Sequence, residues 1–179
     1  MKTLSRLCAW PLAVLLTAIV MSAPVYAAST HKCQVHQLEA RFDDRDGLFD
    51  GMSQRGTLLV LRNKGTRTCQ VDSLPTLAFE GAGGRRLSVE RRVPRGMHPG
   101  PVLLPVMVAP GVEVAMLLRW VSEDVYPGGN CLAPEIAMLE LSEGVLRLPF
   151  GLRMCAESGS SNFFDQAPLE RVPDEVERG

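Results

Sequence analysis

Three observations predict an all-β fold for this chain of 179 residues. Short apolar or alternating segments recur along it, and turns rich in glycine, proline and asparagine separate them. No amphipathic helix longer than about ten residues is recognisable, and four cysteines are spread between residues 33 and 155. Short strands that alternate with turn signals are typical of a sandwich. We therefore predict an immunoglobulin-like sandwich of two sheets with two disulfides.

The first strand is predicted over 34–42, where apolar and polar side chains alternate. The strongest signal comes next, in the segment 55–75, RGTLLVLRNKGTRTCQVDSLP. Its apolar run ends at Asn63, as expected of a buried strand that leads into a turn. Asn63 and Gly65 tolerate the positive φ that a tight reversal requires. Cys69 begins a second strand, and the segment contains no residue typical of catalysis.

Further strands are predicted where short apolar or alternating segments lie between turns, over 76–80, 87–92, 102–108, 112–121, 135–141 and 145–150. The segment 87–92 is flanked by arginines and is expected at a sheet edge. Trp120 is expected in the core. Glu143-Gly144 marks a hairpin turn between the last two strands, and residues 151–155 extend the second of them.

The N-terminus has the features of an export signal. Lys2 and Arg6 precede the apolar run 7–21, and Val25-Tyr26-Ala27 is a small-x-small cleavage site. A membrane anchor is the alternative, but the apolar run is short for a span of about 20 residues. Cys8 lies inside that run, whereas a lipoprotein cysteine would follow it. We predict a soluble exported protein, periplasmic or secreted.

The predicted organisation is a signal peptide over 1–27, a single sandwich domain over 28–172 and a disordered, charged tail over 173–179. The signal contains two basic residues and no acidic one, so its removal turns the net charge of −1 into −3. This mild acidity argues against nucleic acid as a partner. No second apolar segment is long enough to span a bilayer, so no transmembrane segment is expected after cleavage.

Four cysteines remain after cleavage, and an even number in an exported chain indicates two disulfides. Three pairings are possible. We favour Cys33–Cys69 and Cys131–Cys155, because each bond then joins segments that are close in sequence. A metal site formed by all four is the alternative, although no pair has the C-x-x-C spacing that is typical of zinc.

These features together resemble a known family. The matching positions are Cys33 with Leu38, the segment 56–65 leading to Cys69, Leu74-Pro75, the turn 81–84, Pro110-Gly111 with Ala115 and Trp120, and finally Cys131 and Cys155. The chain resembles the exported bacterial family called domain of unknown function 4232. Many of its members are lipoproteins, and this chain lacks the lipid cysteine. The resemblance implies an exported β-sandwich and supplies no known activity or catalytic residue.

A copper or zinc site is one candidate function. His31 and His36 flank Cys33, and Met97-His98 lies in a loop. Exported copper proteins use methionine and histidine as ligands. Against this, strand geometry would place Cys33 and His36 on opposite faces, and a cysteine in a disulfide is not a thiolate ligand.

A second candidate is an anion-binding patch. Five arginines lie within eleven residues, namely Arg85, Arg86, Arg91, Arg92 and Arg95. Such a patch would attract a polymer, a lipid head group or an acidic partner. The alternative is an edge hairpin whose charges prevent association between sheets.

No catalytic signature is present in the sequence. It contains no G-x-S-x-G motif and three histidines, and its spacing singles out no pair of acids. We therefore predict a non-catalytic binding or structural module of the cell envelope. Its partner would be an envelope protein or polymer that the sequence does not identify, and no cofactor is expected. The alternatives are a periplasmic copper-binding protein and a hydrolase whose site residues cannot be named.

Overall fold

The computed structural model describes residues 31–93 and 103–172, and strands dominate both ranges. The strands are β1 Leu38–Asp43, β2 Gln54–Asn63, β3 Cys69–Val71, β4 Thr76–Glu80, β5 Arg86–Leu87, β6 Val89–Arg92, β7 Val106–Val108, β8 Glu113–Val121, β9 Asn130–Leu132, β10 Ile136–Leu141, β11 Gly144–Pro149, β12 Met154–Ala156, β13 Asn162–Gln166 and β14 Glu170–Arg171. Two single 3-10 turns, Val35–Gln37 and Ala82–Gly84, are the only helical segments in these ranges. The predicted all-β fold is confirmed.

Two sheets form the sandwich. The first has the order β1-β2-β8-β13-β6, and β14 pairs with β8 beside β13. The second has the order β11-β10-β4-β5. Two short pairs, β12 with β9 and β3 with β7, lie beside them. The pair of β6 with β13 is parallel, and the other ladders between these strands are antiparallel.

The core lies between the two sheets and is centred on aromatic rings. The Phe150 ring packs edge-on against Phe79 and Phe42, with ring centroids 5.0 and 5.2 Å apart. Trp120 packs 5.3 Å from the same ring and is 1% exposed, so its predicted place in the core is confirmed. Its indole N–H donates to the carbonyl of Arg153, which satisfies the polar atom of this buried side chain.

The predicted physical reason for the turn after Asn63, positive φ at Asn63 and Gly65, was wrong. Neither residue has positive φ. Asn63 is instead fully buried, and its side-chain amide donates to the carbonyls of Arg67 and Val108 while its oxygen accepts from the backbone N–H of Gly65. A β-carbon on Gly65 would lie 3.0 Å from that oxygen. The asparagine therefore fixes the turn through its side chain.

Three predicted strands differ from the structure, and one of them, predicted over 102–108, is limited to Val106–Val108 within the described residues. The predicted strand 34–42 begins as a 3-10 turn, because Gln37 bonds the backbone of Gln34 through both its own N–H and its side-chain oxygen. The predicted strand 87–92 is divided, since Arg86–Leu87 belongs to the second sheet and Val89–Arg92 to the first. Both parts lie at sheet edges, as predicted. The chain thus crosses between the sheets at Ser88.

The C-terminal strands were partly missed. The predicted extension of the hairpin over 151–155 was wrong, because β12 pairs with β9 and not with the β10–β11 hairpin. The polar segment after Ala156 contains β13, whose inward side chains Asn162, Phe164 and Gln166 are all buried. The sequence does not predict this strand, because two of its three inward side chains, Asn162 and Gln166, are polar and interrupt the apolar alternation.

The predicted disulfide pairing is confirmed. Cys33 bonds to Cys69, and Cys131 bonds to Cys155, its direct neighbour in the β9–β12 ladder. Structural disulfides persist in oxidising compartments. The predicted signal peptide over 1–27 and the predicted tail over 173–179 lie outside the described residues. Within those that are described, no helix is long and apolar enough to cross a membrane.

Candidate functional site

Within the described residues, the arginines of the predicted patch lie on either side of the crossing between the two sheets, and the patch itself stays a prediction. Arg91 donates to the carbonyl of Leu74, and the Arg92 guanidinium stacks 3.5 Å from the centre of the Phe163 ring. Arg85 and Arg86 precede the crossing at Ser88, whereas Arg91 and Arg92 follow it on β6. Arg95 lies outside the described residues. The run of arginines divides because the chain passes from the second sheet to the first at Ser88, and Arg91 and Arg92, as neighbours on one strand, point to opposite faces.

The predicted metal ligands do not form a site within the described residues. Cys33 is in a disulfide, and His36 lies exposed in the 3-10 turn, so the strand argument used for this pair does not apply. The carbonyl of His31 accepts a bond from Gln70, and its Nε2 is buried without a described partner. No three side chains of the metal-binding types converge in the described ranges. Met97 and His98 lie outside them, so the metal site stays a prediction.

A polar cleft lies where the chain crosses from one sheet to the other. We call it the crossover cleft and define it by residues 85–88, Asn130, Leu132 and 159–162, which line a volume of about 490 Å³. One wall is the crossing segment itself. The other wall is formed by β9 and by the turn that leads into β13. Volumes of roughly 300–1,000 Å³ are typical of small-molecule sites.

Asn162 is the distinctive residue of this cleft. It is the first residue of β13, pairs with Val89 in the parallel ladder, and is 1% exposed. Its side-chain nitrogen and oxygen are both buried, and neither has a hydrogen-bond partner among the described residues. A buried amide without partners costs about 1–3 kcal/mol. Such groups are rare in folded proteins and call for a specific explanation.

The charge of the cleft is positive. Arg85 is exposed and forms no ion pair within the described residues, while Arg86 donates one hydrogen bond of 3.0 Å to Glu140. None of the described lining residues is acidic. The remaining polar groups are the amides of Asn130 and Asn162 and the hydroxyls of three serines, Ser88, Ser160 and Ser161.

Two acids close to the arginine wall are already engaged. Glu80 pairs with Arg86 in the β4–β5 ladder, and its carboxylate accepts hydrogen bonds from Arg147. These bonds lower the pKa of Glu80 below its ordinary value of 4.5, and the charges of Arg147 and Arg86 act in the same direction. Glu140 is paired with Arg86. Both carboxylates are therefore already engaged by arginine side chains.

Sequence reasoning found one wall of the cleft and missed the other. Arg85 and Arg86 stood out because arginines are dense there. Asn162 and Ser160 lie in a polar segment for which the sequence predicts no strand, and the parallel pairing that brings them to the crossing joins strands about 70 residues apart in the chain. The cue that was present is Asn162 itself, a polar residue in phase with Phe164 on an alternating segment.

These features define the class of protein as a disulfide-linked, two-sheet sandwich with a polar cleft at its crossing. A family profile described as a domain of unknown function, DUF4232, matches residues 33–149. The match covers more than half of the chain, and the chain belongs to this family, which confirms the resemblance. The turn 159–162 that completes the cleft lies beyond the matched range. Comparisons with curated proteins and with solved structures gave no match.

Proposed function

We propose that this protein is an exported, non-catalytic binding module of the cell envelope and that the crossover cleft is its binding site. The observation that carries the proposal is the Asn162 amide, which is buried at the cleft with no described partner for either polar atom. Neither atom is accessible to solvent, so the Asn162 side chain must turn toward the cleft for a ligand to bond both atoms and recover the free energy lost by their burial.

The two disulfides support an oxidising location for this module. Thiols are kept reduced in most bacterial cytosols, so bonds such as Cys33–Cys69 form and persist outside it. The predicted signal peptide over 1–27 would deliver the chain to the periplasm or the exterior. An exported protein of the cell envelope would keep both disulfides oxidised, so this location is the simplest that fits them.

The composition of the cleft supports binding without catalysis. None of the described residues that line it is a histidine, a cysteine or an acid, the side chains that most often transfer protons in enzymes. Its three serines have no neighbouring base among those residues to activate them. Guanidinium, amide and hydroxyl groups remain, and these are groups that hold a ligand in place.

The proposal is tested by calorimetric melting of the oxidised protein with a panel of small molecules. The panel holds neutral sugars, sugar phosphates, hydroxy acids, amino acids, and copper and zinc salts. Ser161→Trp fills the cleft, and Ser158→Trp is the matched control, because Ser158 is exposed in the same turn and does not line the cleft. A ligand at about 100 times its Kd adds about 2.7 kcal/mol, which raises Tm by roughly 5–10 °C.

We expect at least one class to raise the Tm of the wild type and of Ser158→Trp but not that of Ser161→Trp. If no class raises the Tm, or if all three proteins respond equally, the cleft is not the binding site and the proposal is wrong. A response to copper alone that persists in Ser161→Trp would support the metal prediction for His31 and His36 instead.

A further inference from the structure

We infer that the crossover cleft takes a small hydroxylated molecule by its oxyanion, a phosphate or a carboxylate group, with Arg85 as the main charged contact. This inference rests on the proposed binding function and adds the chemical class of the ligand. It differs from a general arginine patch, because it assigns the binding to two arginines at the crossing together with residues from β9 and β13.

The charge of the lining selects an anion. The described lining contains two guanidinium groups and no carboxylate. Arg85 has no ion pair in the described part of the chain, so its five N–H donors are available to a ligand. Arg86 uses one donor on Glu140 and retains the others. The planar fork of a guanidinium matches the geometry of carboxylate and phosphate oxygens.

The Asn162 amide specifies more than charge. Its nitrogen donates hydrogen bonds and its oxygen accepts them, so the unprotonated oxygens of a carboxylate or phosphate group would satisfy only the nitrogen. A ligand that satisfies both atoms must carry a donor beside its oxyanion, as a hydroxyl group does. The hydroxyls of Ser88, Ser160 and Ser161 and the amide of Asn130 add further donors and acceptors around the cleft.

The size and polarity of the cleft limit the ligand further. The volume of about 490 Å³ accommodates a molecule as large as a monosaccharide phosphate. Leu87 and Leu132 are the apolar side chains among the described lining residues, and none of those residues is aromatic. The lining thus offers little apolar surface for a hydrophobic ligand and many polar contacts for a hydroxylated one.

Regular structure holds both walls of the cleft in place. Arg86 pairs with Glu80 in the second sheet, and Asn162 pairs with Val89 in the first. The disulfide between Cys131 and Cys155 joins β9 to β12, just before the turn that contains Ser160 and Ser161. The strands thus fix the positions of Arg86 and Asn162, which reduces the entropy that is lost on binding, while Arg85 and the three serines lie close to strand ends.

Isothermal titration calorimetry tests the inference with four probes: glucose 6-phosphate, citrate, inorganic phosphate and glucose. We expect glucose 6-phosphate or citrate to bind the wild type, with the better of the two identifying phosphate or carboxylate as the oxyanion. Inorganic phosphate should bind more weakly, because it has only its own P–OH groups and none of the sugar hydroxyls that would contact the serines and Asn130. Glucose should not bind measurably, and added salt should weaken binding of the anions.

Three variants locate the site. Arg85→Gln should weaken binding about tenfold or more, since it removes a charge-assisted contact. Asn162→Ala should weaken it about fivefold. Arg91→Gln is the matched control, because Arg91 is an exposed arginine of the adjacent strand that donates to Leu74 and does not line the cleft. It should leave binding unchanged. Circular dichroism establishes that each variant is folded.

The failures of the two proposals are distinguishable. If Arg91→Gln weakens binding as much as Arg85→Gln, a diffuse arginine surface binds the anion and the inference is wrong. If glucose binds as tightly as glucose 6-phosphate, the oxyanion inference is wrong and the binding module stands. The same holds if these anions do not bind while another class of the melting panel raises the Tm of the wild type and of Ser158→Trp but not that of Ser161→Trp. If nothing binds in either experiment, both fall.

Discussion

Two buried asparagines should lose very different amounts of stability when each is replaced by alanine. Asn63 is 0% exposed and Asn162 is 1% exposed, so burial alone does not distinguish them. The amide of Asn63 makes three side-chain hydrogen bonds of 2.8 to 2.9 Å, to Arg67, Val108 and Gly65. The amide of Asn162 makes none with a described residue. The comparison isolates the contribution of hydrogen bonds at equal burial.

The expected magnitudes follow from these bonds. At about 1 kcal/mol net for each hydrogen bond, Asn63→Ala should lower the free energy of unfolding by about 3 kcal/mol. Asn162→Ala removes no bond within the described structure, and the relief of an unpaired amide offsets the small void that is left. Its free energy of unfolding should stay within about 1 kcal/mol of the wild type.

Urea denaturation followed by Trp120 fluorescence measures both effects, because this buried ring becomes exposed on unfolding. Equal m-values would establish that the midpoints report stability and not a change in the denatured state. If Asn63→Ala costs no more than Asn162→Ala, the side chain of Asn63 does not fix the turn. If Asn162→Ala costs about 3 kcal/mol in the absence of ligand, its amide is bonded within the protein and the argument for the cleft loses its basis.

Three further predictions concern stability. A β-carbon on Gly56 would lie 2.5 Å from that of Phe49, so Gly56→Ala should destabilise by about 1–3 kcal/mol in urea, while Gly51→Ala, which has open space, should be neutral. Replacing both cysteines of either disulfide by serine should cost about 3–4 kcal/mol by calorimetry, and slightly more for the bond with separation 36 than for that with 24. Arg41 donates two hydrogen bonds to Glu113 and lowers its pKa below the ordinary 4.5, so this contribution is present above pH 4.5 and is lost as the pH falls below it. Glu113→Gln should therefore lower the free energy of unfolding at pH 7 by less than about 1 kcal/mol, and it should make the loss of stability below pH 4.5 smaller. An unchanged loss of stability in acid would contradict the pairing.

The sequence was most informative where local pattern and tertiary environment agree. The strand that became β8 is apolar on successive inward positions, and the β10–β11 hairpin has its turn at Glu143-Gly144. The strand β8 was predicted because its burial is nearly complete, and the hairpin was predicted because its two strands are close in the chain. The disulfides were predicted from the same preference for close segments, and they formed as expected.

The sequence was least informative where a side chain or a distant strand decides the structure. Positive φ was inferred at Asn63 from residue type, whereas its amide bonds to three backbone groups that come together only in the fold. The crossing at Ser88 divides one apparent strand between two sheets, and no local feature of residues 87–92 indicates this division. Asn162 reaches the cleft through a parallel pairing with β6 that no local pattern encodes.

The most direct test of the central claim is the side-chain amide signal of Asn162 in a ¹⁵N–¹H correlation spectrum during titration with glucose 6-phosphate or citrate. The account predicts that this signal shifts progressively and saturates with the same Kd as calorimetry, while the amide signal of Asn63, the last residue of β2, stays in place. If the Asn162 signal is unmoved while either ligand binds, binding occurs elsewhere and the crossover cleft is not the site.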